Sequence, residues 1–338
     1  MNIFNSLKKS FPYDFKLCIL DIGARDNLQW PWSDVDINLL DVHLFEPEND
    51  ELAKLKKTSP KSFTIHNQLL SDKIKKTSLN INQSLGTSSI YSPNYKFLKN
   101  FTDYERFNLI NKTEYDSTTL DKMHDDNLIP VVDFAKIDTQ GSELKILNGG
   151  VSFLKNLLAI EIEVNFADLY LNQCTFSDVD LFIRNNFNLT LWDLKTIDWK
   201  YAKGANNSFN KKGQLIFGDA LYLRSIEQLS NLIESLSNEN KKITIIKLIL
   251  ISLIYGFVDY SIALLKTDDF RDILNKNDII YFENLIKKVN QFSLSSKKGN
   301  KILYYIFHIL SEIFKQSYNN SNRSKRSLGS QKIGNFWL

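Results

Sequence analysis

Five acidic positions each follow a short apolar run. Asp21 follows Leu17-Cys18-Ile19-Leu20, Glu46 follows Val42–Phe45, and Asp72 follows Phe63–His66 and Leu69-Leu70. Asp138 follows Val131–Ile137, and Glu163 closes Leu158–Val164 with Asn165 beside it. One acid at such a place is as easily a helix cap or a solvated loop residue. Five on one edge are harder to dismiss, because ligands of open α/β sheets sit outside the carboxyl ends of the strands. Carboxylates there accept sugar or ribose hydroxyls, take a proton from a reacting hydroxyl, or jointly hold a divalent cation.

The first turn, Asp21-Ile22-Gly23-Ala24-Arg25-Asp26-Asn27, offers one glycine where backbone must approach a ligand. It lacks the G-x-G-x-x-G of dinucleotide sites, and no G-x-x-x-x-G-K-[ST] phosphate loop occurs. An acid opening this turn repels a pyrophosphate but suits a cationic ligand. Glu46, at the next strand end, is placed to accept the two hydroxyls of a ribose. A ligand with a ribose, a cationic end and no phosphate points to S-adenosyl-L-methionine, and hence to a class I methyltransferase.

The elements that must position these residues alternate apolar strands with helical stretches, which implies a parallel sheet covered on both faces. Thr175 followed by Asp178 reads as a capping box, with Phe176, Val179, Phe182 and Ile183 on one face. Gly149-Gly150 reads as a helix terminator. After Asn188, the runs Leu189–Trp192 and Leu215–Leu223 flank a Lys/Asn/Gly-rich stretch without a helix and predict an antiparallel hairpin. The expected fold is α/β, a Rossmann-like class I methyltransferase sheet of five parallel strands plus a C-terminal antiparallel hairpin, over residues 1–225. Residues 226–315 are expected to form an α-helical region, with segments near 226–237, 241–255, 257–266, 278–291 and 299–315. Residues 316–338 read as a disordered tail.

The 338 residues are 43% hydrophobic and 24% charged, which excludes a wholly disordered, collagen-like or coiled-coil chain. A net charge of +3 is too mild to argue for nucleic acid. Cys18 and Cys174 make neither a disulfide framework nor a metal-ligand spacing, and read as core residues in a reducing compartment. The first residues lack an apolar signal-peptide core. The longest uncharged apolar run, Leu248–Val258, is about half the ~20 residues that span a bilayer, so a cytoplasmic, non-spanning chain is expected. Leu248–Ile251 and Leu253–Tyr255 put apolar groups on nearly every helix face. Such a helix must be buried, either within the helical region, against a second subunit in a homo-oligomer, or on a membrane-associated partner.

The sequence resembles the FkbM-type methyltransferases over about residues 16–225. The motifs are Asp21–Asp26, Leu44-Phe45-Glu46-Pro47, Leu70-Ser71-Asp72, Gly86–Ile90 and Thr119-Leu120-Asp121. The most specific is Lys136-Ile137-Asp138-Thr139-Gln140-Gly141-Ser142-Glu143 with Leu147 and Gly149, completed by Ile162–Phe166 and Leu169-Tyr170. Asn27 departs from the pattern, since many relatives have a second glycine there. The resemblance implies that Asp21, Gly23, Ala24, Arg25, Glu46, Ser71 and Asp72 surround S-adenosyl-L-methionine. Asp72 would take the adenine amino group, Glu46 the ribose, and the Asp21–Arg25 loop the methionine part. Asp138 and Glu163 are the catalytic candidates, one as general base; the alternatives are holding sugar hydroxyls or a divalent metal. Ser88, Ser89, Gln140, Glu143, Asn165 and Tyr170 fall on the acceptor side. The acceptor implied is a small molecule or glycan, such as a sugar hydroxyl of a surface polysaccharide, a glycolipid or another natural product.

Other polar residues have milder readings. His43 and His66 belong to strands, His308 to an apolar helix, and His124 to a polar loop, where it is the reserve acid/base candidate. Asp34-Val35-Asp36 and Asp178-Val179-Asp180 mimic the D-x-D of a nucleotide-sugar glycosyltransferase, the rival enzyme, but fit loop solvation and a capped helix. The non-enzyme rival is a scaffold that kept the fold and binds a partner through its helices.

Overall fold

The computed structural model describes residues 11–25, 27–203, 213–290, 306, 323 and 324. In chain order the strands are β1 (Leu17–Ile22), β2 (Leu40–Phe45), β3 (Thr64–His66), β4 (Leu69–Leu70), β5 (Lys75–Asn82) and β6 (Leu109–Thr118). They continue with β7 (Phe134–Ile137), β8 (Ala159–Asn165), β9 (Thr190–Trp199), β10 (Gln214–Leu223) and the two-residue β11 (Arg323–Ser324). The main sheet runs β9-β10-β8-β7-β1-β2-β3, with β11 added at the β9 edge. The five strands from β8 to β3 are parallel, and β10 and β9 return antiparallel. All six residues of β1 are buried, as expected of a strand covered on both faces.

Two strand expectations shift. Val131–Asp133 is loop rather than strand: Val131 is 63% exposed, and the Asp133 carboxylate accepts from the Cys18 amide at 2.8 Å. Leu69-Leu70 leaves the main sheet and pairs with β6 in a separate sheet of order β4-β6-β5. The β5–β6 ribbon is not anticipated by any sequence pattern. Much of β6 is exposed, so it needs no apolar run to hold it.

The helices flank the sheet: α1 (Asn49–Thr58), α2 (Tyr95–Leu98), α3 (Leu120–Asp125), α4 (Glu143–Asn148) and α5 (Phe176–Phe187). The Thr175–Asp178 capping box is formed at the start of α5, and Asn188 ends it in the left-handed conformation. On one face of the sheet Leu20, Ile22, Ile137 and Ile160 pack with Ile146, Leu147, Val179 and Ile183.

The other face is covered by α6 (Ile226–Ile233), α7 (Asn238–Ile254), α8 (Val258–Lys266), α9 (Asp268–Ile273) and α10 (Lys276–Asn290). Leu17, Ile19, Val42 and Phe134 of the sheet share one apolar core with Ile245, Ile249, Leu264 and Phe282 of these helices. Each such side chain, fully buried, contributes ~1.5–3 kcal/mol. Leu248, Ile249, Ile251 and Leu253 of α7 are fully buried. The apolarity that raised the expectation of a second subunit or membrane partner is thus accounted for within one chain. The predicted 299–315 segment lies outside the described residues except 306, as does the predicted tail except Arg323 and Ser324, which pair with Asp198 and Ile197. Among the described residues no helix is long and apolar enough to cross a membrane.

Candidate active site

Strand order reverses between β1 and β7, and the chain leaving both strands opens a cleft at their carboxyl ends. Gly23 permits this. It has φ +88°, and a Cβ there would lie 2.0 Å from the Asp138 carbonyl oxygen. The Asp138 amide donates to the Ile22 carbonyl at 3.0 Å, and the Gly23 and Ala24 amides both donate to the Phe45 carbonyl at 3.1 Å. The two strand ends are therefore pressed together at the only kind of residue that tolerates it.

Gly23, Arg25, Glu46, Ser88, Asp138 and Gln140 all line this cleft. The Glu46 carboxylate accepts from the Glu48 amide at 2.8 Å, yet burial pushes its pKa up to about 7. The Arg25 guanidinium lies against Gly86, where a Cβ would meet Nη1 at 2.3 Å, and among the described residues its buried Nε has no hydrogen-bond partner. Asp21 sits just behind the cleft, 1% exposed; among the described residues its Oδ1 has no hydrogen bond, and Lys136 Nζ lies 3.9 Å away. Burial outweighs that lysine and raises Asp21 to about 6. Lys136 also lies 3.7 Å from Asp138 Oδ2, and the surrounding carboxylates keep it protonated against its burial.

Gln140 joins the two catalytic candidates. Held at φ +56°, it donates from Nε2 to Asp138 Oδ1 at 3.0 Å and to Glu163 Oε2 at 2.8 Å. Its backbone carbonyl accepts from the Ser89 hydroxyl at 2.6 Å. The Tyr170 hydroxyl donates to the Thr87 carbonyl at 2.8 Å and lies 3.2 Å from Gln140 Oε1. Asp138 faces the cleft, whereas Glu163 is 5% exposed behind it. Burial, then Asp138 and Glu143, raise Glu163 well above the usual carboxylate range.

The remaining candidates are placed further from the opening. Glu143 accepts from the Thr139 and Gly141 amides and caps the turn that carries Gln140. Ser89, Asn165 and Tyr170 are buried behind the cleft, and among the described residues the Asn165 Oδ1 has no hydrogen-bond partner. The Ser71 hydroxyl donates to Asp72 Oδ1 at 3.0 Å, and Asp72 also pairs with Lys75; neither lines the cleft, though Leu69 and Leu70 do. His124 lies in α3 rather than a loop, with Nδ1 3.1 Å from the Ile129 carbonyl. Asp36 caps a single turn by accepting from the Asn38 amide. Sequence reasoning did not single out Gln29, Gln68 and Thr139, which line the cleft, or Lys136 as a charge buried in a four-residue strand.

The carboxyl-end cleft, the reversal at β1 and the acids at the ends of β1, β2, β7 and β8 are accompanied by a family match: residues 21–188 match the methyltransferase FkbM domain. Those residues are an FkbM methyltransferase domain. The match ends with α5, so the hairpin and the C-terminal helices lie beyond the matched residues. No curated protein matches the chain in sequence. A crystal structure of precorrin-6y C5,15-methyltransferase from Geobacter metallireducens GS-15 is similar at 12% identity, over 66% of this chain and 85% of that one, with a TM-score of 0.33. A likeness that loose carries no argument about the chemistry.

Proposed function

We propose that the chain is an S-adenosyl-L-methionine-dependent O-methyltransferase of Rossmann-like class I architecture, acting on a hydroxyl of a sugar-containing acceptor. The observation that supports this best is the pairing of Glu46 and Asp138 across one cleft, with the Gly23 turn between them. The residues present fit the cofactor. Among the described residues, Asp21 and Arg25 each keep a buried polar atom without a hydrogen bond, an anionic and a cationic group suited to the amino and carboxylate ends of a methionine moiety. Glu46, which lines the cleft, is the ribose acceptor in this reading; Asp72 lies outside the lining, beyond Leu70, and takes the adenine amino group only by turning toward that wall.

Bound there, S-adenosyl-L-methionine supplies a methyl group on a sulfonium, ready for in-line displacement. The chain must hold an acceptor oxygen ~3–3.5 Å from that carbon and take its proton. Asp138 is the proton acceptor, because its carboxylate faces the cleft. Gln140 fixes its orientation, and Glu163, favoured in its protonated form by burial, braces Gln140 from behind. Ser88 and Gln140, with Gln29 and Gln68 along the wall, suit a hydroxyl-rich acceptor. Incubation with labelled S-adenosyl-L-methionine and a panel of glycans and glycolipids should place label on a hydroxyl oxygen. Label on nitrogen or carbon, or on none of the panel, contradicts this reading.

A further inference from the structure

Cys18, Asp41 and His43 are scattered along the sequence, yet the parallel register of β1 and β2 sets Cys18 opposite Asp41. His43 follows two residues on, so period-two alternation puts all three side chains on the same face. One ligand atom from each lies within 4.8 Å of the other two. Donors each ~2.0–2.3 Å from one tetrahedral ion lie roughly 3.3–3.8 Å apart, so a small side-chain rotation brings this set into coordinating distance. Among the described residues this is the one such convergence of three potential ligands.

We infer that Cys18, Asp41 and His43 form a zinc-binding site that cross-links β1 and β2. Three features of the surroundings support it. The donor set is one sulfur, one imidazole nitrogen and one carboxylate oxygen, a mixture that suits Zn²⁺ better than a hard cation. The ring of His43 is already oriented by a neighbour: its Nδ1 lies 3.0 Å from His66 Nε2, while its Nε2 lies 3.6 Å from Asp41 Oδ1. With the Nδ1 hydrogen donated to His66, the Nε2 lone pair turns toward Cys18 and Asp41, the second contact that metal-bound histidines commonly make. Finally, Cys18 and His43 are each 6% exposed, while the Asp41 side chain is 45% exposed and gives the ion a way in.

The site is separate from the methyl-transfer cleft. Cys18 precedes Asp21 by three residues, about 10 Å along a strand that rises ~3.3 Å per residue, and Asp41 lies at the opposite end of β2 from Glu46. Zinc would displace the Cys18 thiol proton to solvent, and the thiolate and carboxylate would balance the charge of the dication. Water completes the fourth position from the Asp41 side. Its role is to hold the register of β1 against β2, from which the Gly23 turn departs.

The test uses the full chain, stripped with a chelator and titrated with Co²⁺ as a spectroscopic stand-in for Zn²⁺. The expected result is a near-ultraviolet thiolate-to-cobalt charge-transfer band at one ion per chain, bleached by competing Zn²⁺. Cys18→Ser should abolish the band, and Asp41→Asn should weaken zinc affinity ~10-fold or more. Cys174→Ser, at the only other cysteine, should change neither. Because Cys18→Ser touches the core, the half-exposed Asp41→Asn also serves as the folding-safe variant. No charge-transfer band in the wild type, a band that survives Cys18→Ser, or unchanged affinity in folded Asp41→Asn would each overturn the assignment.

Discussion

The Tyr255 hydroxyl, at the C-terminal end of α7, donates a 2.7 Å hydrogen bond to Glu161 Oε2 in strand β8. Trp32 Nε1 in turn donates to the Tyr255 oxygen at 3.2 Å. Burial raises Glu161 to about 7, while Lys136, the same lysine that contacts Asp21 and Asp138, and Tyr255 hold it down. The C-terminal helices therefore touch the charges behind the cleft as well as covering the sheet. Tyr255→Phe leaves the buried Trp32 Nε1 and the half-buried Glu161 carboxylate without their partner and should cost ~1–3 kcal/mol. Urea unfolding checks this; an unchanged midpoint would mean that water replaces the hydroxyl.

Two glycines of the cleft should respond differently to alanine. At Gly23 the added methyl meets backbone, 2.0 Å from the Asp138 carbonyl oxygen, at a φ of +88°. Gly23→Ala should therefore destabilise the fold by several times the ~1 kcal/mol of an ordinary unfavourable Gly→Ala change. At Gly86 the methyl meets only the end of the Arg25 side chain, which can move. Gly86→Ala should melt within a few degrees of wild type but bind S-adenosylhomocysteine more weakly. Equal melting temperatures for the two variants would contradict the tight packing of Gly23 against Asp138.

Glu46 makes a pH signature. Its carboxyl titrates at about 7 in the folded chain against 4.5 for the free group. Between those values the folded state binds more protons than the unfolded one, so this group's contribution to stability falls as pH rises. Glu46→Gln removes the effect. Relative to wild type, the ligand-free variant should gain on the order of 2 kcal/mol between pH 4.5 and pH 8. Measuring the difference cancels the opposing titration of His66, which burial lowers to about 4. A flat difference would show that Glu46 is better solvated than its position implies.

Asp138, Gln140 and Glu163 should separate in kinetics. Asp138→Asn should cut turnover ~10²-fold or more with little change in cofactor affinity. Glu163→Gln should have a smaller effect, since a group already protonated loses less by becoming an amide. Full activity in Asp138→Asn would move the proton acceptor elsewhere, with His124 next to test. Loss of activity on chelation, restored by magnesium, would assign Asp138 and Glu163 to a cation instead.

The main sheet was legible because its parallel strands are buried on both faces and so appear as unbroken apolar runs. Ile19, Val42, Phe134 and Ile160 are all fully buried. The ribbon of β5 and β6 was not, because Lys75, Lys76, Asn111 and Lys112 face solvent and nothing apolar repeats. Strand-end acids could be named from sequence, but not which of them reach the cleft. That depends on Gln140 and its left-handed backbone, which hold Asp138 forward and Glu163 behind. The approach of Cys18 to Asp41 and His43 was equally hidden: strand register, not spacing along the chain, brings them together.

Calorimetric titration of the purified chain with S-adenosylhomocysteine tests the central claim most directly. The wild type should bind one equivalent, and Glu46→Ala should bind ~1–3 kcal/mol more weakly while unfolding at a similar denaturant concentration. Absence of binding by the wild type at millimolar ligand, or wild-type affinity in Glu46→Ala, would contradict the account.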